Sequence, residues 1–196
     1  QHGIDAVADV SEYLGHAACG MLPERCGVRQ PVKRQESAMS LRKPALDPRT
    51  VEAVIASGYP EPYRSRVLPR AKRRIGEALG LTRIGINYTL LPPGKESSMR
   101  HWHTHEDEFV FVVEGELVLR TGSGEQRLTA GMCAGFPAGS EDGHHLINRS
   151  DRDAVYLEIS NRDRADGAHY SDPEVDLAWS PPHAPGRFTR RDGTPF

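Results

Sequence analysis

Cysteine is scarce: Cys19, Cys26 and Cys133 are the only three in 196 residues. An odd and sparse set argues against a disulfide framework. Cys19 and Cys26, with His16 nearby, also lack the close cysteine pairs of a structural zinc module. No apolar run approaches the roughly 20 residues that a membrane-spanning helix needs. The first residues show neither the basic nor the apolar region of a secretory signal. An excess of one charge is missing too: 25 Lys and Arg against 27 Asp and Glu leave a formal net charge of −2. That balance gives no whole-molecule attraction to nucleic acid or to an anionic membrane. A DNA-binding helix-turn-helix pattern is likewise absent. The expectation is a reduced, cytoplasmic, globular protein with neither nucleic acid nor membrane as partner, and with length for one ordinary core.

What is plentiful is glycine (19), proline (15) and histidine (9). Glycine and proline in such numbers suit short strands joined by turns. Residues 1–38 show no sustained period and are expected to be an extension, the compact protein beginning near Met39. In the flank 39–82, Asp47 reads as an N-cap and Pro48 as a first-turn proline. Val51, Val54 and Ile55 then share the face of a short helix that Gly58 ends. The basic cluster Arg64, Arg66, Arg70, Lys72, Arg73 and Arg74 has no interleaved aromatics and reads as a solvated face. From 83 to 160, period-2 alternation takes over, first in Ile84, Ile86, Tyr88 and Leu90. Phe109–Val113 and Leu117–Leu119 flank Glu114-Gly115-Glu116, a hairpin-like signal. About seven short strands at close spacing argue for an all-β sandwich or barrel. The stretch 161–196 is Pro-rich and is expected to be an irregular arm.

The chemistry concentrates in "RHWHTHEDEFVFVVEGE", Arg100 to Glu116. On a strand, side chains at i and i+2 share a face, so His101 and His103 converge while Arg100 and Trp102 point away. A turn after His103 returns Glu108 as the first residue of the next strand. His105 falls at the rim, and Glu106 and Asp107 read as turn residues. Two neutral imidazoles and a carboxylate suit a first-row divalent metal. The segment "GMCAGFPAGSEDGHHLIN" offers a further ligand in His144 or His145, of which only one can face inward. Cys133 reads as a small buried hydrophobe.

These spacings resemble the two motifs of the cupins. Gly94, His101, His103, Glu108 and Gly115 follow the first motif, and Gly131, Pro137, Gly139, His144 and Asn148 follow the second. The resemblance covers roughly 83–160. It extends more loosely to "KRRIGEALGLT", "GFPAG" and "NRSD", similar to single-domain bacterial metal-binding cupins, a subgroup with no single settled activity. It implies a small β-barrel of the double-stranded β-helix (jelly-roll) type, with a short helical N-terminal flank and an irregular C-terminal arm. It also implies a mononuclear site of His101, His103, Glu108 and His144, the three-residue spacing to Asn148 favouring His144 over His145.

Such a site suits an enzyme acting on a small oxygenated substrate, with Glu108 as the catalytic carboxylate that leaves the metal to act as base. Dioxygenase-type oxidation ranks first and isomerisation of a sugar or sugar phosphate second. Iron or manganese fits the former, and the ligands also accept nickel, copper or zinc. The alternatives are a non-catalytic module that binds or senses a small ligand through its metal, and a closed structural zinc site. No Lys or Arg is singled out for the cavity. Cupins commonly pair through outer strands and arms, and the flanks carry Tyr63, Val67, Trp179 and Phe188 as anchors. A homodimer is the expected assembly.

Overall fold

Strands form where alternation is strongest, and the flanks are more ordered than their composition suggests. The computed structural model describes residues 41, 43–180 and 187–196, all within the unit Ser40–Phe196. The extension 1–38, with His16, Cys19 and Cys26, and residues 181–186 of the arm lie outside the described residues.

Asp47 does cap a helical turn, its carboxylate accepting from the Arg49 amide at 2.9 Å. The turn is a 3-10 helix of three residues, Pro48–Thr50, and Val51 is already extended. The longer helix expected over Val51, Val54 and Ile55 does not form. Those residues are β-branched and favour extended backbone, and Val54 instead exchanges backbone bonds with Lys72. Helix α1 (Tyr63–Val67), strand β1 (Ala71–Arg73) and helix α2 (Ile75–Ala78) complete this flank. Strands β2 (Ile84–Leu91), β3 (His101–His103), β4 (Glu108–Glu114), β5 (Glu116–Thr121) and β6 (Gly124–Thr129) follow. After them come β7 (Cys133–Phe136), β8 (His145–Ile147) and β9 (Ala154–Asn161), and then β10 (Ala168–Tyr170), β11 (Ala178–Ser180) and β12 (Arg187–Thr189).

The expected closed barrel is not what these strands build. They form three sheets, ordered β1-β2-β9-β4-β7, β12-β11-β10-β3 and β6-β5-β8, and none closes on itself. Closure needs an uninterrupted ladder of backbone bonds. At the point where it would be completed, β3 and β8 have three residues each. Among the described residues the pairing between them is one isolated bridge, from His101 of β3 to His144 just before β8. The arrangement is cupin-like and mostly β, but open.

Two further expectations change. Glu114-Gly115-Glu116 does not join a hairpin, because β4 and β5 lie in different sheets. One residue is too short for a hairpin loop, and Gly115, with φ of +77°, turns the chain from one sheet into the other. A Cβ at Gly115 would lie 3.0 Å from the Asp153 carbonyl oxygen. The arm, expected to be irregular, contains three strands. Its β10 pairs with β3 in the register Ala168↔His103, His169↔Trp102 and Tyr170↔His101. The sheet partner of the histidine strand therefore comes from the arm.

The main core joins the five- and three-stranded sheets through Leu91, Val110, Val112, Leu117, Leu119, Leu128, Leu146 and Tyr156. A second cluster of Tyr63, Val67, Met99, Val175 and Leu177, with Phe188 against it, ties α1 to the arm. No helix among the described residues is long and apolar enough to cross a membrane.

Candidate metal centre

Strand parity brings the first two histidines together. His101 and His103 lie on one face of β3, while Trp102, on the other face, stacks on His169 with centroids 4.4 Å apart. The two Nε2 atoms are 3.1 Å apart. Glu108 opens β4 and points its Oε2 at the same spot, 3.8 Å from His101 Nε2 and 3.6 Å from His103 Nε2. His144 precedes β8 and exchanges backbone bonds with His101. Its Nε2 lies 2.8 Å from Glu108 Oε2. Gly143 permits this approach, since a Cβ there would collide with Ser171 Oγ. The next residue, His145, points elsewhere: its Nδ1 is 3.0 Å from the Ser98 carbonyl oxygen.

The ring protons decide what this cluster can hold. His101 Nδ1 lies 2.9 Å from the Met99 carbonyl oxygen, an acceptor, so the proton sits on Nδ1 and Nε2 presents a lone pair. His103 Nδ1 lies 2.6 Å from Asp166 Oδ2, which fixes the same tautomer. Two Nε2 lone pairs at 3.1 Å repel unless a metal ion or a shared proton stands between them. The donor set therefore fits a divalent metal, and a His/Glu cluster able to coordinate one is present in His101, His103 and Glu108, with His144 Nε2 against the same carboxylate oxygen. Carboxylate–histidine pairs such as Asp166–His103 are the usual way of holding a ligating imidazole.

The electrostatics set the two rings apart. Burial lowers the His101 pKa to about 4, outweighing the attraction of Glu108, so the ring is neutral at pH 7. Burial also acts to lower His103, but Glu108 and Asp166 outweigh it and raise the pKa. Burial would push Glu108 up, yet the His144 bond and the charges of His101 and His103 hold it well below the usual carboxylate range. Phe136 packs flat on the His144 ring, centroids 3.4 Å apart.

The cluster lies on the wall of a cavity of about 350 Å³, within the usual range for small-ligand sites. The wall includes Arg70, Lys72, Glu106, Tyr156 and Glu158. Three readings of single residues change here. Arg70 and Lys72 do not belong to a solvated face: Arg70 is buried, and Lys72 Nζ lies 2.6 Å from Glu158 Oε1. Glu106, expected to serve only as a turn residue, lines the cavity. Cys133 is exposed rather than buried. His105 is exposed, with its ring against Thr104 Oγ1. Asn148 is buried and donates to the carbonyls of Leu91 and Arg152, so it holds a turn rather than lining the pocket. Arg100 faces away and pairs with Asp172 at 2.7 Å.

Residues 87–160 match the family described as Cupin domain. The fold is similar to a cupin-superfamily sugar phosphate isomerase from Silicibacter pomeroyi: 40% identity, 78% of this chain and 96% of that chain covered, TM-score 0.73. A candidate sugar phosphate isomerase from Acidithiobacillus ferrooxidans is 27% identical, with 63% of this chain and 77% of that chain covered and a TM-score of 0.57. The polyketide cyclase RemF from Streptomyces resistomycificus shares the fold at 14% identity, with 67% and 87% covered and a TM-score of 0.55. No curated protein matches the chain. With both motifs in order, paired histidines on one strand face and a 40% identical relative matched over nearly its whole length, the chain belongs to the cupin superfamily.

Proposed function

We propose that this protein is a metal-dependent isomerase of a small sugar phosphate, with one divalent metal held by His101, His103, Glu108 and His144. One observation carries the reading. The His/Glu cluster shares its cavity with a second ionised pair, Glu158 and Lys72, so groups for carbonyl polarisation and for proton transfer face one space. The similarity to a sugar phosphate isomerase supports the same order of preference and reverses the ranking from sequence, which put oxidation first. A cavity beside the cluster favours an accessible site over a closed structural zinc.

A metal so held would polarise the substrate oxygens as a Lewis acid. Aldose–ketose isomerisation moves the C2 proton to C1 and a hydroxyl proton from O2 to O1, with no net redox change in the protein. Glu108, once released from the metal, is the candidate base for the carbon proton, and burial keeps the Tyr156 hydroxyl protonated as a donor on the same wall. Manganese and iron are both adequate for this role.

The test is incubation of the metal-loaded protein with a panel of aldose phosphates in D2O, followed by proton NMR. Ketose formation with deuterium entering the product carbon supports isomerisation. Substrate-dependent oxygen uptake with enediols or catechols, and no aldose–ketose exchange, would restore the dioxygenase reading.

A further inference from the structure

Arg70 is the least explained charge in the molecule. Arg70, just before β1, and Lys72 within it stand two apart, and both line the cavity. Arg73, of opposite parity, reaches the Val51 carbonyl instead. Arg70 is only 7% exposed. One guanidinium nitrogen donates to the Ser97 carbonyl, while the buried Nε has no hydrogen-bond partner. The nearby carboxylate Glu158 is taken by Lys72 at 2.6 Å and accepts from Asn87 at 3.2 Å. Among the described residues no carboxylate pairs with Arg70. A buried, unpaired guanidinium is costly, and proteins keep one where an anion arrives to meet it.

We infer that Arg70 is the anion subsite of this cavity and takes the phosphate end of the substrate. The inference rests on the reading of the cavity as a substrate site. The charge balance is consistent with such a group: with a divalent metal bound, Glu158 offsets Lys72 and Glu108 offsets half the metal charge. Glu106, also on the wall, offsets one of the two charges left, so Arg70 and the metal together leave the empty cavity net positive. An anionic phosphate ester complements that surplus, and a planar guanidinium fork suits its oxygens. Ser97 and Ser98 on the same wall supply hydroxyls beside it.

The experiment uses the full chain, metal-loaded, with inorganic phosphate as probe, in calorimetric titration and thermal denaturation. The wild type should bind phosphate and melt higher in its presence. Arg70→Met should keep its metal content and its melting temperature without phosphate. Its phosphate affinity should fall at least tenfold, and the phosphate-induced rise in melting temperature should vanish. Arg70→Lys, which keeps the charge but not the fork, should lose less and serves if Arg70→Met does not fold. After chelation of the metal, the wild type should still bind phosphate more weakly, and Arg70→Met should not.

Unchanged phosphate affinity in Arg70→Met would overturn the inference, as would binding that disappears with the metal in both proteins. Acetate binding as tightly as phosphate would overturn the phosphate assignment. Isomerase activity with an unaltered KM in Arg70→Met would remove the subsite and leave the proposed reaction standing. Arg70-dependent phosphate binding without isomerisation would do the reverse.

Discussion

Replacing Asp166 by Asn isolates the tautomer of His103 from everything else in the site. Asp166 Oδ2 faces His103 Nδ1 at 2.6 Å, while Oδ1 accepts from the His105 and Glu106 amides at 2.8 and 3.1 Å. An asparagine keeps the oxygen for the two amides and places its NH2 toward the ring. That NH2 can only donate, so Nδ1 becomes the acceptor and the ring proton moves to Nε2. The proposed metal ligand is thereby turned into a hydrogen-bond donor aimed at the proposed metal position. Loss of such a supporting bond typically costs 10–100-fold in metal affinity, or roughly 1.4–2.8 kcal/mol. The inverted tautomer places this case at the upper end. Chelator competition on wild type and Asp166→Asn, with circular dichroism to establish that both are folded, measures the difference. A folded Asp166→Asn protein with wild-type metal affinity would refute both the tautomer argument and the ligand role of His103.

Three further outcomes are expected. His103→Ala should lose stoichiometric metal in elemental analysis while His105→Ala retains it; the opposite pattern means the ligand register is shifted. In the metal-free protein, His101 is neutral when folded, with a pKa of about 4, but ionises near 6.5 when unfolded. The unfolded chain then binds more protons, so this residue's contribution falls as pH drops from 6.5 toward 4, by about 3 kcal/mol at most. Because the raised pKa of His103 acts in the opposite sense, the quantity to read is the difference in urea midpoints between wild type and His101→Asn at pH 7 and pH 4.5. A difference independent of pH contradicts the argument. Finally, Phe109 and Val113 of β4 are about 39% exposed on the outer face of the five-stranded sheet, and a twofold homodimer through that face would cover them. Light scattering near the mass of one 21.7 kDa chain, unchanged on concentration, would exclude it.

The readable part of this molecule was the part governed by local periodicity. The alternation Ile84, Ile86, Tyr88, Leu90 became β2. The i, i+2 spacing of His101 and His103 needed only strand geometry. Sheet closure was not legible, because it depends on whether short segments such as β3 and β8 meet through a ladder or through one bridge. The same holds for Gly115, whose turn signal is identical whether the chain doubles back or crosses to another sheet. The arm's strands were obscured by prolines, and three-residue strands leave almost no period to detect. Asp166 had no local signal at all, as its role exists only because β10 lies beside β3. Arg70 and Lys72 did carry one. Their i, i+2 spacing just before a strand-like register sets them apart from Arg73 and Arg74, but a run of six basic residues reads first as solvated surface.

On the proposed function, chemistry and selectivity would come from different lengths of chain. The His/Glu cluster lies within residues 87–160, the span that matches the cupin domain. Arg70, Lys72 and Asp166 lie outside it, yet two of them line the cavity and the third orients His103. The similarity to the Silicibacter pomeroyi isomerase covers 78% of this chain, about twice that span, and so extends well into the flanking sequence. A cupin sharing only the central strands could reproduce the His/Glu cluster without Arg70 on the cavity wall, and without the carboxylate that faces His103 Nδ1. Likeness confined to 87–160 therefore bears on the cluster alone, and only likeness that includes Arg70 and Asp166 bears on the proposed phosphate substrate.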